Sequence, residues 1–209
     1  MRLAAWRALP ESDHARCVVV DVETTGLNLV TDTLISIGAV AVVDGRIALG
    51  DSFYVVLQQR KSSRKENILV HGISGTVQRE GMEPVEALLG FLEFLGKSPL
   101  VAFHVAFDET MIRRALRQYL ELSFKHSWLD LAYVMPALYP AQAYSHRVLD
   151  DWIGRFGIRI EARHNALADA LATAQLLQVA AAQARRKGVS GFSGLRDLER
   201  SQRLARGVS

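Results

Sequence analysis

The sequence predicts an α/β fold on a mixed sheet whose first three strands run antiparallel, flanked by helices. Three observations carry that prediction. Residues 17–22, Cys-Val-Val-Val-Asp-Val, form a short β-branched run that reads as a buried strand ending in carboxylates. Two more strand-like runs, 33–43 and 46–56, are separated by Asp44-Gly45, a strong hairpin signal because both turn residues must reach positive φ. Beyond them, helical stripes alternate with one later strand.

The remaining elements follow in order. Residues 57–81 are polar and glycine-bearing and read as a long loop with little regular structure. Pro84 sits where a helix can begin, and Val85, Leu88, Leu89, Leu92 and Leu95 supply its apolar stripe. A short strand over 100–103 leads into a helix with Met111, Ile112, Ala115, Leu116 and Tyr119 on one face. Residues 129–138 and 148–156 read as shorter helices. An alanine-rich helix over 165–187 is closed by Gly188, with basic residues in its last turn. Residues 189–209 read as a disordered tail or a marginal helix. The expected organisation is an N-terminal extension over 1–16, one domain over 17–188 and a basic C-terminal tail over 189–209.

Composition narrows the class. A chain of 209 residues favours a single domain at ~100–200 residues per domain and is long enough for a sizeable core. The lone Cys17 excludes a disulfide framework and a multi-cysteine zinc site, and suits a reducing cytoplasm. The longest uncharged apolar stretch, 34–43, is about half a membrane span. Arg7 interrupts the N-terminus before a signal-peptide core develops. A cytoplasmic protein with no membrane partner is expected. The net charge of +3 hides an asymmetry: residues 185–209 carry seven basic side chains against Asp197 and Glu199. A second basic cluster comprises Arg60, Lys61, Arg64 and Lys65. Such patches suit a polyanion and equally suit a solvated surface, so charge alone decides nothing.

The chemistry lies in the carboxylates. Asp21 and Glu23 are two apart on a strand, so both leave the same face of the sheet. Side by side they repel, and a hard divalent cation, Mg²⁺ or Mn²⁺, relieves that repulsion. The pair alone is weak evidence: with 11 Asp and 11 Glu in the chain, a chance Asp-x-Glu is expected roughly 0.6 times. Asp197-Leu198-Glu199 is a second occurrence, read as ordinary helix or coil surface. Thr24-Thr25-Gly26-Leu27 sets the first apart, because small residues admit a ligand to the backbone and Leu27 adds an apolar neighbour. Asp108 follows the later strand and reads in isolation as a helix first-turn residue. Asp169 lies early in the alanine-rich helix, five positions after His164, and is costly to bury there without a partner such as a metal. Asn165 is placed to cap that helix. His146 and Asp151 share the same spacing, but Asp150 and Asp151 read as acidic residues at a helix start.

Asp-x-Glu on strand one, Asp after a later strand and His-x₄-Asp entering a late helix resemble the DEDDh branch of the DnaQ-like 3′–5′ exonucleases, typified by the epsilon proofreading subunit of bacterial DNA polymerase III. The resemblance covers about residues 17–180, with all three motifs in the family's order. Val70-His71-Gly72-Ile73 is similar to the family's His-Gly-Ile stretch, with Glu66 five residues before His71. Val105 departs from it, standing where the family usually has Asn after His104.

The resemblance implies a ribonuclease-H-like fold and release of nucleoside 5′-monophosphates from a 3′ end, with two Mg²⁺ or Mn²⁺ ions per site. Asp21 is then assigned as the bridging ligand, Glu23 and Asp169 as direct ligands, Asp108 as a ligand of the second ion through water, and His164 as general base. Thr24, Gly26 and Leu27 are expected around the terminal sugar and base. Glu66, His71 and His104 are expected as substrate contacts, and the Arg60–Lys65 cluster along the phosphates. The expected partner is single-stranded DNA with a free 3′ end, with a DNA polymerase as a candidate protein partner, in proofreading or DNA repair. RNA or short oligoribonucleotides are the alternative substrate. A catalytically silent nucleic-acid or polymerase-binding module is the alternative of another class.

Overall fold

A computed structural model of the chain describes residues 3–7 and 15–207. Five strands, β1 (Arg16–Thr24), β2 (Leu34–Val43), β3 (Arg46–Val56), β4 (Leu100–Ala102) and β5 (Trp128–Asp130), form one sheet in the order β3-β2-β1-β4-β5. β1 pairs antiparallel with β2, and β2 with β3, while β4 runs parallel to both β1 and β5. This is the expected mixed sheet. Asp44 and Gly45 turn the hairpin at φ +50° and +75°, the backbone geometry that a two-residue turn between twisted strands requires.

Nine helices surround the sheet among the described residues: α1 (Leu3–Arg7), α2 (Lys65–His71), α3 (Gly75–Arg79), α4 (Pro84–Leu95), α5 (Val105–Leu120), α6 (Leu131–Leu138), α7 (Leu149–Phe156), α8 (Ala166–Arg186) and α9 (Gly191–Ala205). The alternation of β1 sorts them into two layers. Val18, Val20 and Val22 face one core with Phe91 and Leu92 of α4 and Met111 and Ile112 of α5. Cys17 and Val19 face the other, with Val134 of α6 and Ala172 and Leu176 of α8. Asp21 and Glu23 continue the second row, so the strand's own period aims both carboxylates toward the α8 side.

Three local expectations change. Residues 57–81 are not loop throughout: α2 and α3 lie there, the latter capped by Ser74, whose hydroxyl accepts from Val77 N. Residues 128–130 are a strand rather than the start of a helix, because they extend the sheet beside β4. Of the two readings for 189–209, a helix is what forms. α9 packs on α6, with Leu195 buried and Glu199 at 8% exposure. Glu199 is therefore not surface: it accepts from Arg203 Nε at 2.9 Å. Within the expected N-terminal extension, Trp6 is buried and donates to the carbonyl of Gly96 at 2.7 Å. Residues 1–2, 8–14 and 208–209 lie outside the described residues. No helix among those described is long and apolar enough to cross a membrane.

Candidate active site

The site sits at the carboxyl ends of the parallel pair β1 and β4, where two chain segments of opposite layers meet. Asp21 and Glu23 come from β1, Asp169 from the first turn of α8 and Asp108 from the first turn of α5. Ligand oxygens of Asp21, Glu23 and Asp169 all lie within 4.8 Å of one another. Asp108 reaches them from the opposite layer over the end of the sheet: its carboxylate accepts from the backbone of Val22, between the two β1 acids. Asp108 and Asp169 are buried, at 5% and 4% exposure, whereas Asp21 and Glu23 are partly covered.

Like charges this close cannot all ionise. Burial, then the charges of Asp108, Asp169 and Glu23, push the Asp21 carboxyl well above the carboxylate range. Burial and then Asp169 push Glu23 up to about 8. Burial also raises Asp108 and Asp169. For Asp169 the chief opposing group is the Arg163 guanidinium, which pairs with its Oδ1 and, through Nε at 2.7 Å, with Asp150. A set of oxygen donors that holds surplus protons, with a guanidinium drawn onto one member, is what a hard divalent cation would neutralise, so these residues fit a metal.

This has a measurable consequence. Glu23 has an ordinary pKa of 4.5 and a folded one of about 8, so between those values the folded protein binds more protons than the unfolded chain. Without metal, stability therefore falls as pH rises through that window. Metal binding at neutral pH must expel the protons held by Glu23 and Asp21. Calorimetric titration with Mn²⁺ in two buffers of different ionisation enthalpy is expected to report net proton release that shrinks above pH 8. Identical apparent enthalpies in the two buffers would refute it.

The histidines divide. His164 is exposed, takes a left-handed conformation at φ +59°, and donates its backbone N–H to Asp169 Oδ2 at 2.9 Å. Asn165 caps α8, accepting from Ala168 N at 3.1 Å, as the sequence suggested. His104 is the N-cap of α5, exposed and also left-handed at φ +66°. His71 is buried, with Nδ1 accepting from Ile73 N at 3.0 Å and Nε2 3.3 Å from Ser63 Oγ. Both of its ring nitrogens thus face partners inside the protein. Glu66 is exposed in the first turn of α2.

Thr24 Oγ1 donates to the carbonyl of Gly26 at 2.6 Å, and the loop that follows presents Leu27 at 86% exposure. That loop is held by groups the sequence did not single out. Asp32 accepts from Thr25 Oγ1 and Asn28 N, and Arg114 of α5 donates to the carbonyls of Val30 and Asp32. Arg60, Lys61 and Arg64 are exposed along a groove that begins at Thr25. Asp130 was likewise unmarked, yet its carboxylate accepts from the backbone N–H of His104 and Val105 and fixes the start of α5. Arg163, Asp150, Asp32 and Asp130 act through partners distant in sequence or in irregular segments, which no spacing rule picks out. Asp151, the sequence decoy, accepts from the backbone of Arg147 and Val148 at the start of α7.

The carboxylate cluster lies at the end of the central strand of a five-stranded mixed sheet of the ribonuclease-H-like fold. The chain belongs to the exonuclease family whose model matches residues 18–177. It is 33% identical over 187 residues to the PolC-type DNA polymerase III of Bacillus subtilis (strain 168), covering 89% of this chain and 12% of that protein. It is 30% identical over 201 residues to a DNA polymerase III subunit epsilon-like protein of Rhodobacter capsulatus, covering 94% of this chain and 28% of that one. The chain thus spans a small part of these relatives' length. Among solved structures, Exonuclease I of E. coli in complex with a dT13 oligonucleotide superposes with a TM-score of 0.71 at 17% identity, over 82% of this chain and 42% of that one. Exonuclease X in complex with 5′ overhanging duplex DNA gives 0.67 at 16% identity, over 88% and 99%. The family is one of nuclease hydrolases that use divalent metals.

Proposed function

We propose that the chain is a DEDDh 3′–5′ exonuclease that removes nucleoside 5′-monophosphates from the 3′ end of DNA, in the cytoplasm, with Mg²⁺ or Mn²⁺ in its carboxylate cluster. The observation that carries this reading is the convergence of Asp21, Glu23 and Asp169 within 4.8 Å, with His164 exposed beside Asp169. Asp21, Glu23, Asp108 and Asp169 would hold the ions. When bound, divalent cations polarise the scissile phosphate and lower the pKa of a coordinated water.

The other roles belong to the chain itself. His164 takes the proton from the attacking water. The resulting hydroxide adds to phosphorus, the bond to the 3′-oxygen breaks, and that oxygen takes a proton from solvent, giving a nucleoside 5′-monophosphate and a shortened 3′-hydroxyl end. Leu27, held out by the braced 24–33 loop, packs against the terminal base, while Thr24 and Gly26 line the sugar. Glu66 and His104 belong to the proposed substrate contacts, while His71, buried with both ring nitrogens facing protein partners, takes a positioning role behind them instead of the expected contact. The division into 1–16, a catalytic domain over 17–188 and a basic segment over 189–209 is part of this proposal. So is a polymerase partner, supported by relatives that carry this region within a longer polymerase.

Digestion of 5′-labelled single-stranded DNA and a matched RNA tests the reading. A metal-dependent ladder that shortens from the 3′ end, faster on DNA and absent in Asp169→Ala, is expected. No ladder on either strand from folded, metal-supplied protein would overturn it in favour of a silent binding module. A ladder on RNA alone would make the chain an exoribonuclease.

A further inference from the structure

An open cavity of about 620 Å³ lies between α6, the end of α9 and the turn that precedes α7, and includes His104, the N-cap of the helix that carries Asp108. Its lining has an unusual chemistry. Tyr133, Tyr144 and His146 supply rings, Arg147 and Arg206 supply positive charge, and no carboxylate contributes. Tyr144 is 87% exposed. A ring left in water that way loses the burial that ordinarily stabilises an aromatic side chain. Arg206 lies 5.8 Å from the ring centroid of Tyr133, and Arg203 lies 4.1 Å from it, fixing that ring's orientation.

The cavity is tied to the catalytic end of the fold. Arg203 of α9 pairs with Asp130 at 3.3 Å, and Asp130 holds the backbone of His104 and Val105. Those residues start the helix whose first turn carries Asp108. His104 Nε2 also lies 3.0 Å from the carbonyl of Arg147. A ligand seated in the cavity would thus contact a wall braced against the nuclease site.

Exposed rings interleaved with arginines are the chemistry that holds single-stranded nucleic acid: bases stack on the rings, and cations take the intervening phosphates. The volume falls in the ~300–1,000 Å³ range of ligand sites. We propose that this cavity is a base-stacking subsite for the single-stranded substrate, with a nucleobase on Tyr144 and its flanking phosphates on Arg147 and Arg206. The inference rests on the nuclease reading and specifies where part of the strand away from the scissile bond is held.

The test uses the full chain and a short phosphorothioate oligothymidylate, which resists hydrolysis, with an abasic site walked along it. Tyr144→Ala is expected to bind the intact oligonucleotide about 10-fold more weakly, and Tyr144→Trp to bind it as tightly as the wild type. At one position the abasic site should weaken the wild type but leave Tyr144→Ala unchanged, so that the two losses do not add. Arg206→Ala should flatten the salt dependence of binding. Additive losses at every abasic position, with an unaltered salt slope, would overturn the subsite. If the wild type shortens DNA in the ladder assay while Tyr144→Ala binds normally, the subsite alone fails. If the wild type neither binds nor shortens DNA, the nuclease reading fails first.

Discussion

Asp21→Asn is expected to reduce hydrolysis by about 10²–10³-fold, the scale on which a pre-organised charge-stabilising group matters, while making the metal-free protein more stable. Asn keeps the shape of the side chain and removes a group that must take up a proton on folding, because burial and three neighbouring carboxylates disfavour its ionised form. Relief of about 1–2 kcal/mol in a chain of this size raises the metal-free Tm by roughly 2–8 °C. With saturating Mn²⁺ the order reverses, because the wild type gains binding free energy that the variant cannot collect. Thermal melts with chelator and with Mn²⁺, run beside the ladder assay, read all three effects. A variant that loses activity and melts lower under both conditions would make Asp21 a structural residue. Opposed signs for stability and turnover mark a group kept for its chemistry.

That opposition also explains why the site was legible in the sequence. A carboxylate pair at the end of a β-branched run, or an aspartate in an alanine-rich helix, is locally costly, and a locally costly pattern stands out against propensity. Asp21, Glu23 and Asp169 could therefore be read one segment at a time. The hairpin could be read the same way, since Asp44 and Gly45 set their own backbone geometry. What the sequence hid depends on distant partners. The N-cap of α2, Arg64, makes no side-chain capping bond, and the helix is placed by contacts such as Asn67 Nδ2 with the carbonyl of Thr25. β5 has three residues, too few for periodicity, and exists because β4 offers it an edge. Glu199 resembled solvated surface until Arg203, one helical turn on, bonded both it and Asp130. Arg163 resembled one more surface cation, although it bridges Asp169 and Asp150.

The second large effect comes from a residue with no side chain. Gly38 of β2 pairs with Asp21 of β1 on one side and with Tyr54 of β3 on the other. It therefore sits in the cluster's own row, where the start of α8 crosses the sheet. A Cβ built at Gly38 would lie 2.2 Å from the backbone carbon of Ala166 and from the backbone nitrogen of Leu167. Neither backbone atom can rotate away. Glycine normally weakens a central strand, and here it admits the backbone of a helix to contact. Gly38→Ala must then push the first turn of α8 off the sheet by about an ångström, carrying Asp169 and the His164 backbone with it. Misplacement on that scale costs roughly 10²-fold in rate, and overpacking costs about 1–3 kcal/mol of stability. Activity and Tm should fall together, with Tm lower by about 2–12 °C whether or not metal is present. Against Asp21→Asn, whose metal-free Tm rises, this separates two ways of losing the same activity: removing a ligand, and moving one. A Gly38→Ala protein that kept both its rate and its melting point would mean that α8 has slack over the sheet. The distance between Asp169 and the β1 carboxylates would then be set by the bound ions and not by the fold.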